Sequence, residues 1–176
     1  TDPEKNPRDV GTTVIVENLF KEIPARFKYL RTESTEYRKI LETITPFFLI
    51  YPEIHFTLTH NGKQVYNFPK TKELLNRIST VLKGDFTNEM YPLFFDGDGM
   101  KISGYIAQPK YNVSKTTHQY LFINNRPIYD AGIIRAVSEG FSRYVPDRSR
   151  VPFVLKLDIK SSLIDVNVHP RKEEVK

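Results

Sequence analysis

Apolar residues recur at helical spacing in three stretches of the chain. Side chains three or four positions apart lie on one face of a helix, so this spacing predicts an amphipathic helix with a buried stripe. The stripes are Tyr37, Ile40, Leu41, Ile44, Phe47 and Phe48; Leu74, Leu75, Ile78, Val81 and Leu82; and Ile133, Ile134, Val137, Phe141 and Tyr144. The second helix is predicted to end at Lys83 and Gly84, because glycine is the usual residue just past a helix end.

Prolines and polar residues beside these stripes predict where helices begin and end. Pro24 can open a short basic helix, because the first helical turn needs no N–H from that residue. Ser34 or Thr35 can cap the next helix, and Pro46 predicts a kink or an early stop within it. Asp130 can cap the helix that carries the last stripe.

Residues that favour β-structure, in some stretches alternating with polar residues, predict strands elsewhere. These stretches are residues 10–16, 55–59, 64–68, 91–95, 100–107, 119–123, 151–159 and 165–168. Asn61-Gly62 predicts a tight hairpin turn, and a second turn is expected at residues 96–99. Helices and strands are mixed without strict alternation, so the predicted fold class is α+β.

Composition restricts the partners and the class of protein. The chain has 176 residues, 39% hydrophobic and 27% charged, which is ordinary for a soluble globular protein. A net charge of +5 and a pI near 9.3 favour polyanions such as nucleic acid or nucleotide, although a solvated basic surface with no partner is the alternative. No apolar run is long enough to span a membrane, so no membrane partner is predicted. Cysteine is absent, which excludes disulfides and thiolate metal sites and fits an intracellular protein.

Several familiar catalytic and metal motifs are missing. The chain has neither GxxxxGK[ST] nor GxGxxG, and its histidines are scattered without the spacing of a metal site. The segment Asp96-Gly97-Asp98-Gly99 hints at a calcium loop, but the twelfth position is Ala107 where such a loop needs glutamate. A hairpin turn is therefore the preferred interpretation, no metal site is predicted, and no self-contained catalytic site is visible.

The chain's tail offers a single cation. An alternating segment from Asp165 to Val168 leads into His169 and Pro170, and Lys172 follows the turn. A lysine ammonium at the end of a rigid element is a point charge suited to a phosphate.

Three segments together carry a family resemblance. Residues 11–30 resemble the motif GTxVxVxxLFxxxPARxKFL, residues 121–128 resemble FVNxRxV, and residues 165–172 resemble DVNVHPxK. All three, in this order, are typical of MutL-type DNA mismatch repair ATPases of the GHKL superfamily. The resemblance implies the C-terminal part of a GHKL (Bergerat-type) ATPase α/β sandwich in residues 1–70. A connecting helix at 71–84 and a ribosomal protein S5 domain 2-like transducer domain at 85–176 would follow.

The resemblance also implies roles for individual residues. Thr12 corresponds to a threonine of the nucleotide-site strand, with a plain β-branched strand residue as the alternative. Lys172 corresponds to the lysine that reaches the γ-phosphate, with an ordinary surface lysine as the alternative. Asn167 and His169 would position that loop or serve a purely structural role, and Pro170 would fix the turn.

The resemblance places the remaining catalytic parts outside this chain. The family's metal-holding asparagine, general-base glutamate and glycine-rich lid are expected upstream of Thr1. ATP and Mg²⁺ would therefore belong to the full-length protein, and this fragment alone is expected to hold neither and to be inactive as an ATPase.

Basic residues supply candidates for DNA contact, with ordinary solvated charge as the alternative for each. The candidates are Arg26, Lys28, Arg31, Arg126, Arg135 and Arg143. Arg135 and Arg143 are eight residues apart, which would place them on roughly the same helix face. Family relatives carry basic residues where this chain has Ala131 and Gly132, so the DNA groove does not transfer residue by residue. Binding is expected to be salt-sensitive and not sequence-specific.

These observations lead to one function and two rivals. The chain is interpreted as a MutL-type transducer region that senses the ATP γ-phosphate and couples it to dimerisation and DNA binding. Its expected partners are DNA, a MutL-type dimer partner, and mismatch-recognition and downstream repair factors, in the cytoplasm and nucleoid or the nucleus. The rivals are a stand-alone nucleic-acid-binding module with an S5-like fold, and a type II topoisomerase subunit.

Overall fold

The chain divides into two units. The computed structural model describes residues 10–112, 118–146 and 149–160. Contacts between Cα atoms separate Thr1–Ile40 from Leu41–Lys176. The domain bounds expected from the sequence, near residues 70 and 85, stay predictions.

The first unit contains one short helix and the start of a long one. Helix α1 is Pro24–Phe27, and it begins at the predicted proline. The strand predicted at 10–16 is wrong, because residues 11–17 belong to no regular element and their side chains are exposed. Strand-forming residues make a strand only when another strand supplies hydrogen bonds, and no described strand pairs with this segment.

Helix α2, Glu33–Ile50, continues through the proline that was expected to interrupt it. Pro46 lies inside the helix, so the predicted early stop is wrong. Phe48 and Leu49 are 2% and 0% exposed, and their burial favours a continued helix over the local preference of proline. The helix also begins before the two residues predicted to cap it, with Glu33 and Glu36 in a first turn that favours acidic side chains.

A predicted hairpin follows as β1, Phe56–His60, and β2, Lys63–Phe68. Asn61 and Gly62 form the turn with φ angles of +49° and +74°, which confirms the turn signal. Helix α3 is Leu74–Leu82 and ends at Lys83 in the left-handed conformation, as predicted.

A buried arginine joins this hairpin to α3. Arg77 is 1% exposed, and its Nη2 donates to the carbonyl oxygens of Pro52, Ile54 and Pro69 at 2.7, 2.8 and 2.9 Å. Its guanidinium also lies 5.7 Å from the ring centroid of Phe56. Burial lowers the pKa of Arg77, with Glu53 opposing the shift.

The second unit also contains a five-stranded sheet. Its strands are β3, Met90–Gly97; β4, Met100–Ala107; β5, Gln119–Ile123; β6, Arg126–Ile128; and β7, Phe153–Ile159. They lie in the order β3-β4-β7-β5-β6, and only the β5–β7 pair is parallel. Helix α4, Ala131–Gly140, connects β6 to β7, and short 3₁₀ helices occupy Asp85–Glu89 and Pro109–Tyr111.

The sheet buries apolar side chains on both faces. One cluster is Leu49, Ile78, Phe86, Met90, Ala107, Phe122, Val151 and Val154, and the other is Leu121, Ile123, Ile128, Ile134, Phe153, Leu155 and Leu157. The end of α2 and α3 therefore cover one face, and α4 covers the other. This three-layer arrangement confirms the predicted α+β class and the inward positions on β7.

Two further features belong to the fold. Within the described ranges, no helix combines the length and the apolar character that crossing a bilayer requires. Gly104 in β4 has a φ of +139°, and a Cβ at this position would overlap the carbonyl oxygen of Val154 on β7. The close pairing of β4 and β7 therefore depends on glycine, which has no Cβ, at position 104.

Candidate functional site

The tail motif lies outside the described residues. Lys172, Asn167, His169 and Pro170 belong to residues 161–176, so their roles stay predictions. Thr12 is described, and it is exposed in the irregular segment of the first unit.

The basic residues predicted in the first unit are all exposed. Arg26 lies in α1 with its guanidinium 5.9 Å from the ring centroid of Phe20. Lys28 and Arg31 follow the helix rather than extending it. The backbone N–H of Arg31 donates to Oε1 of Glu36 at 2.9 Å, and this bond lowers the pKa of that carboxyl group.

The basic residues predicted in the second unit occupy three different settings. Arg126 is the first residue of β6, Arg135 lies in the middle of α4, and Arg143 follows the end of the helix. All three are exposed. Since α4 ends at Gly140, helical spacing does not relate Arg143 to Arg135 as the sequence had indicated.

A groove of about 360 Å³ lies beside α4. Residues of α4 and of the turn after it form one wall, and residues 145–146 and 149–150 form the other. We call it the arginine groove; its charged and hydroxyl-bearing side chains, apart from Tyr129, are Arg135, Ser138, Glu139, Ser142, Ser149 and Arg150. Ala131, Ile134, Val145 and Pro146 supply the remaining surface.

Local sequence fixes both walls of the arginine groove. Asp130 caps α4, since its Oδ1 accepts from the backbone N–H of Ile133 at 2.8 Å. This confirms the predicted cap. Val151 is 3% exposed and anchors the returning chain just before β7. Arg150 is half-buried, and its Nη1 donates to Ser138 Oγ at 3.0 Å across the groove.

The groove is rich in hydrogen-bond donors. Each guanidinium carries five N–H groups and each serine one O–H, whereas Glu139 is the one carboxylate among the lining residues. Within the described part of the chain, no ion pair joins Arg135 or Arg150 to a carboxylate. Neither guanidinium is therefore neutralised by a carboxylate of the described residues.

The sequence indicated only one of the two arginines that line the groove. Arg135 was a candidate because of its place on a predicted helix, but Arg150 precedes a buried strand and was not singled out. The alternation of arginine and serine over residues 148–150 is the signal that could have indicated it. Arg126 and Arg143 do not line the groove.

The second half of the chain matches a known protein family. A family model described as "DNA mismatch repair protein, C-terminal domain" matches residues 78–176. MutL of Mannheimia succiniciproducens is 38% identical over 177 residues, an alignment that covers 99% of this chain and 28% of that protein. MutL of Chlorobium luteolum is 36% identical over 168 residues, covering 96% and 27% respectively. The chain thus spans little more than a quarter of these relatives.

Solved structures share the fold. The Aquifex aeolicus MutL ATPase domain complexed with ADP has a TM-score of 0.61 and 26% identity, covering 82% of this chain and 51% of that one. The N-terminal domain of a DNA repair protein has a TM-score of 0.66 and 23% identity, covering 89% and 53%. These likenesses confirm the expected fold class, in which the end of a GHKL ATPase domain precedes an S5-like domain.

Proposed function

Because the chain belongs to the DNA mismatch repair protein family, we propose that it is the part of a MutL-type protein that senses ATP and passes the signal on. In this proposal the chain detects the γ-phosphate of ATP bound in the adjoining ATPase domain. This detection is coupled to dimerisation and to DNA binding. The observation that carries the proposal is the likeness to a MutL ATPase domain that binds ADP.

Exposed apolar residues in the first unit support a larger ATPase domain around this chain. Val14, Ile15 and Val16 are 81%, 76% and 71% exposed, and Phe27 is 58% exposed. Contiguous apolar surface of this kind marks a site that another part of the protein covers. We infer that residues 10–30 pack against the nucleotide-binding core, with Thr12 donating a hydrogen bond to the nucleotide or to an ordered water.

Lys172 is the proposed sensor. An interaction with the γ-phosphate exists with ATP and is absent with ADP, so it favours one arrangement of the two domains in only one nucleotide state. The tail that carries Lys172 follows β7, the central strand of the sheet.

The remaining parts of the ATPase site are assigned outside this chain. Asn167, His169 and Pro170 would orient the tail, and no residue here is proposed to hold Mg²⁺. ATP and Mg²⁺ are proposed for the full-length protein, together with a dimer partner and with mismatch-recognition and downstream repair factors.

ATP turnover of the full-length protein tests the role of Lys172. Lys172→Ala is expected to lower turnover about a hundredfold, because one preorganised donor to developing charge contributes at least that factor. Lys176→Ala removes the same charge from the same tail and should leave turnover near the wild-type rate. Light scattering should show dimers with a non-hydrolysable ATP analogue and monomers with ADP. Unchanged turnover in Lys172→Ala would contradict the role of Lys172 as the γ-phosphate sensor.

A nucleotide-independent nucleic-acid-binding module is the second candidate. The net charge of +5 and the cationic arginine groove favour it. It would bind DNA with the same affinity in ATP and in ADP. An affinity that changes between the two nucleotides would favour the MutL-type role.

A further inference from the structure

Strand β7 extends further than β5, the strand that runs parallel to it. The β5–β7 pairing ends at Ile123 opposite Leu157, whereas the β4–β7 pairing continues to Met100 opposite Ile159. Beyond Ile123 the chain turns away into the β5–β6 hairpin, whose closing pair is Ile123 and Arg126. The last two residues of β7 therefore extend past the end of β5.

Asn124 pairs with this extension of β7 in place of a strand. Its backbone N–H donates to the carbonyl oxygen of Leu157 at 2.9 Å, which continues the parallel pairing by one hydrogen bond. Its side chain pairs with Ile159 in both directions. The Nδ2 atom of Asn124 donates to the carbonyl oxygen of Ile159 at 2.9 Å, and the backbone N–H of Ile159 donates to Oδ1 at 2.9 Å. A carboxamide has the donor and the acceptor of a peptide group, so it can replace one.

The hairpin turn suits asparagine at this position. Asn124 and Asn125 are the two turn residues, with φ angles of +49° and +65°. Both angles lie in the left-handed region, which glycine and asparagine adopt more readily than other residues. Glycine at position 124 would keep the turn but lose the carboxamide, and aspartate would keep the acceptor but lose the donor. Asparagine therefore meets both the backbone and the side-chain requirement.

Stability alone does not explain this arrangement. Both side-chain hydrogen bonds of Asn124 are exposed to solvent. Such bonds contribute little to the free energy of unfolding, because water can satisfy the same groups. What the two bonds fix is a position, since Ile159 is held by Met100 of β4 on one side and by Asn124 on the other. The end of β7 is therefore anchored on both sides.

The anchored end of β7 precedes the segment assigned to ATP sensing. Lys172, the proposed γ-phosphate sensor, lies in the part of the sequence that follows β7. A cation that must reach one phosphate acts fully only from the correct position, and a misplacement of about 1 Å can lower a rate about a hundredfold. The point at which its segment is anchored contributes to that position.

We propose that Asn124 is a positioning residue for Lys172, because it anchors the end of β7 from which the sensing segment continues. The inference rests on the proposed function, and it adds a residue of the β5–β6 hairpin to ATP sensing. Asn124 does not contact the nucleotide in this proposal. Its replacement therefore lowers kcat for ATP turnover and leaves the KM for ATP near the wild-type value.

A double-mutant cycle on ATP turnover of the full-length protein tests the proposal. Asn124→Gly keeps the left-handed turn and removes the carboxamide, and it should lower kcat about tenfold, as expected for a displacement below about 1 Å. Lys172→Ala should lower kcat about a hundredfold. The double variant should be no slower than Lys172→Ala, because Asn124 acts only through Lys172. Independent effects would instead multiply to about a thousandfold.

Two further variants serve as controls. Asn125→Gly makes the same substitution at the other turn residue, whose side chain has no hydrogen bond within the described part of the chain. It should retain the wild-type kcat. Asn124→Asp keeps an acceptor for the N–H of Ile159 but loses the donor to its carbonyl oxygen. The kcat of Asn124→Asp should lie between those of wild type and Asn124→Gly.

Hydrogen exchange measures the anchor directly. The backbone N–H of Ile159 donates to Asn124, so it should exchange severalfold faster in Asn124→Gly than in wild type. The N–H of Phe153, at the other end of β7, donates to the carbonyl oxygen of His118 and should exchange at the wild-type rate. Loss of protection at Ile159 alone establishes that the variant is folded and that the change is local.

Two results would overturn the positioning role alone. Wild-type exchange of the Ile159 N–H in Asn124→Gly would show that the carboxamide is not an anchor. If Lys172→Ala is slow, a kcat of Asn124→Gly equal to that of Asn125→Gly would show that the anchor does not affect sensing.

The double variant and Lys172→Ala distinguish the remaining outcomes. A double variant about tenfold slower than Lys172→Ala would show that Asn124 acts by a route other than Lys172, which also overturns the inference. Unchanged kcat in Lys172→Ala would contradict the proposed function itself, and with it the role of Asn124.

Discussion

Arg77 donates a hydrogen bond from Nη2 to the carbonyl oxygen of Pro52 at 2.7 Å, across 25 positions of sequence. The same atom lies within hydrogen-bonding distance of the carbonyl oxygens of Ile54 and Pro69. A single buried cation thus satisfies the carbonyls on both sides of the β1–β2 hairpin and ties them to α3. Buried carbonyl oxygens without a donor are destabilising, so Arg77 serves the fold rather than a ligand.

Replacement of this arginine should destabilise the second unit. Arg77→Met keeps the bulk of the side chain but leaves the three carbonyl oxygens without their donor, at an expected cost of about 3 kcal/mol or more. The free energy of unfolding of Arg77→Lys should lie between those of wild type and Arg77→Met, because an ammonium retains the charge without the planar arrangement of donors. The free energy of unfolding in urea measures both.

A neighbour on α3 gives the matched control. Asn76 is exposed, and Asn76→Ala should change the free energy of unfolding by no more than about 0.5 kcal/mol. An Arg77→Met protein as stable as the Asn76→Ala protein would show that water replaces the guanidinium without penalty.

Alanine substitutions at two glycines should change the free energy of unfolding in opposite directions. Gly104→Ala places a Cβ against the carbonyl oxygen of Val154 at a φ of +139°, so it should lower the free energy of unfolding by at least about 2 kcal/mol. Gly140→Ala meets open space at the end of α4 and should raise it by about 0.5 kcal/mol. Thermal unfolding of both proteins checks the pair, and a neutral Gly104→Ala would contradict the close approach of β4 and β7.

Stability should fall in mild acid because of His118. Burial against surroundings that include the Phe86 ring, 5.1 Å away, lowers the pKa of the His118 imidazole in the folded protein. As pH falls through the unfolded value of about 6.5, the unfolded chain takes up the proton first, so stability declines until the folded pKa is reached. Urea midpoints from about pH 8 to about pH 5 measure this decline.

The variant His118→Asn isolates this contribution. Asparagine tolerates the left-handed backbone at this position, where φ is +60°, and it does not titrate. The decline between about pH 8 and about pH 5 should be smaller than in wild type. An identical decline in both proteins would assign the acid sensitivity to other groups.

Signals contained in two to four residues were sufficient to predict local structure. Asn61-Gly62 specified a turn because only residues that tolerate positive φ fit there. Asp130 specified the start of α4 because its carboxylate can reach the N–H of Ile133. Neither prediction depends on the rest of the chain, which is why both are confirmed.

Two predictions failed because distant parts of the chain decide the outcome. Residues 10–16 are rich in strand-forming residues but have no described strand beside them, and Pro46 remains helical because Phe48 and Leu49 are buried nearby. The buried role of Arg77 and the place of Arg150 in the groove were also missed. An arginine in a sequence indicates surface charge, and only the fold shows which carbonyls or serines surround it.

Of the five strands in the larger sheet, β7 is the last to be synthesised, yet it lies between β4 and β5 at the centre. Until residues 153–159 leave the ribosome, β3–β4 and β5–β6 are separate hairpins whose open edges can pair with other chains. A chain that ends before Phe153 would therefore lack the strand that pairs with both β4 and β5. The open edges give chaperones or proteases a physical basis for distinguishing unfinished chains from finished ones.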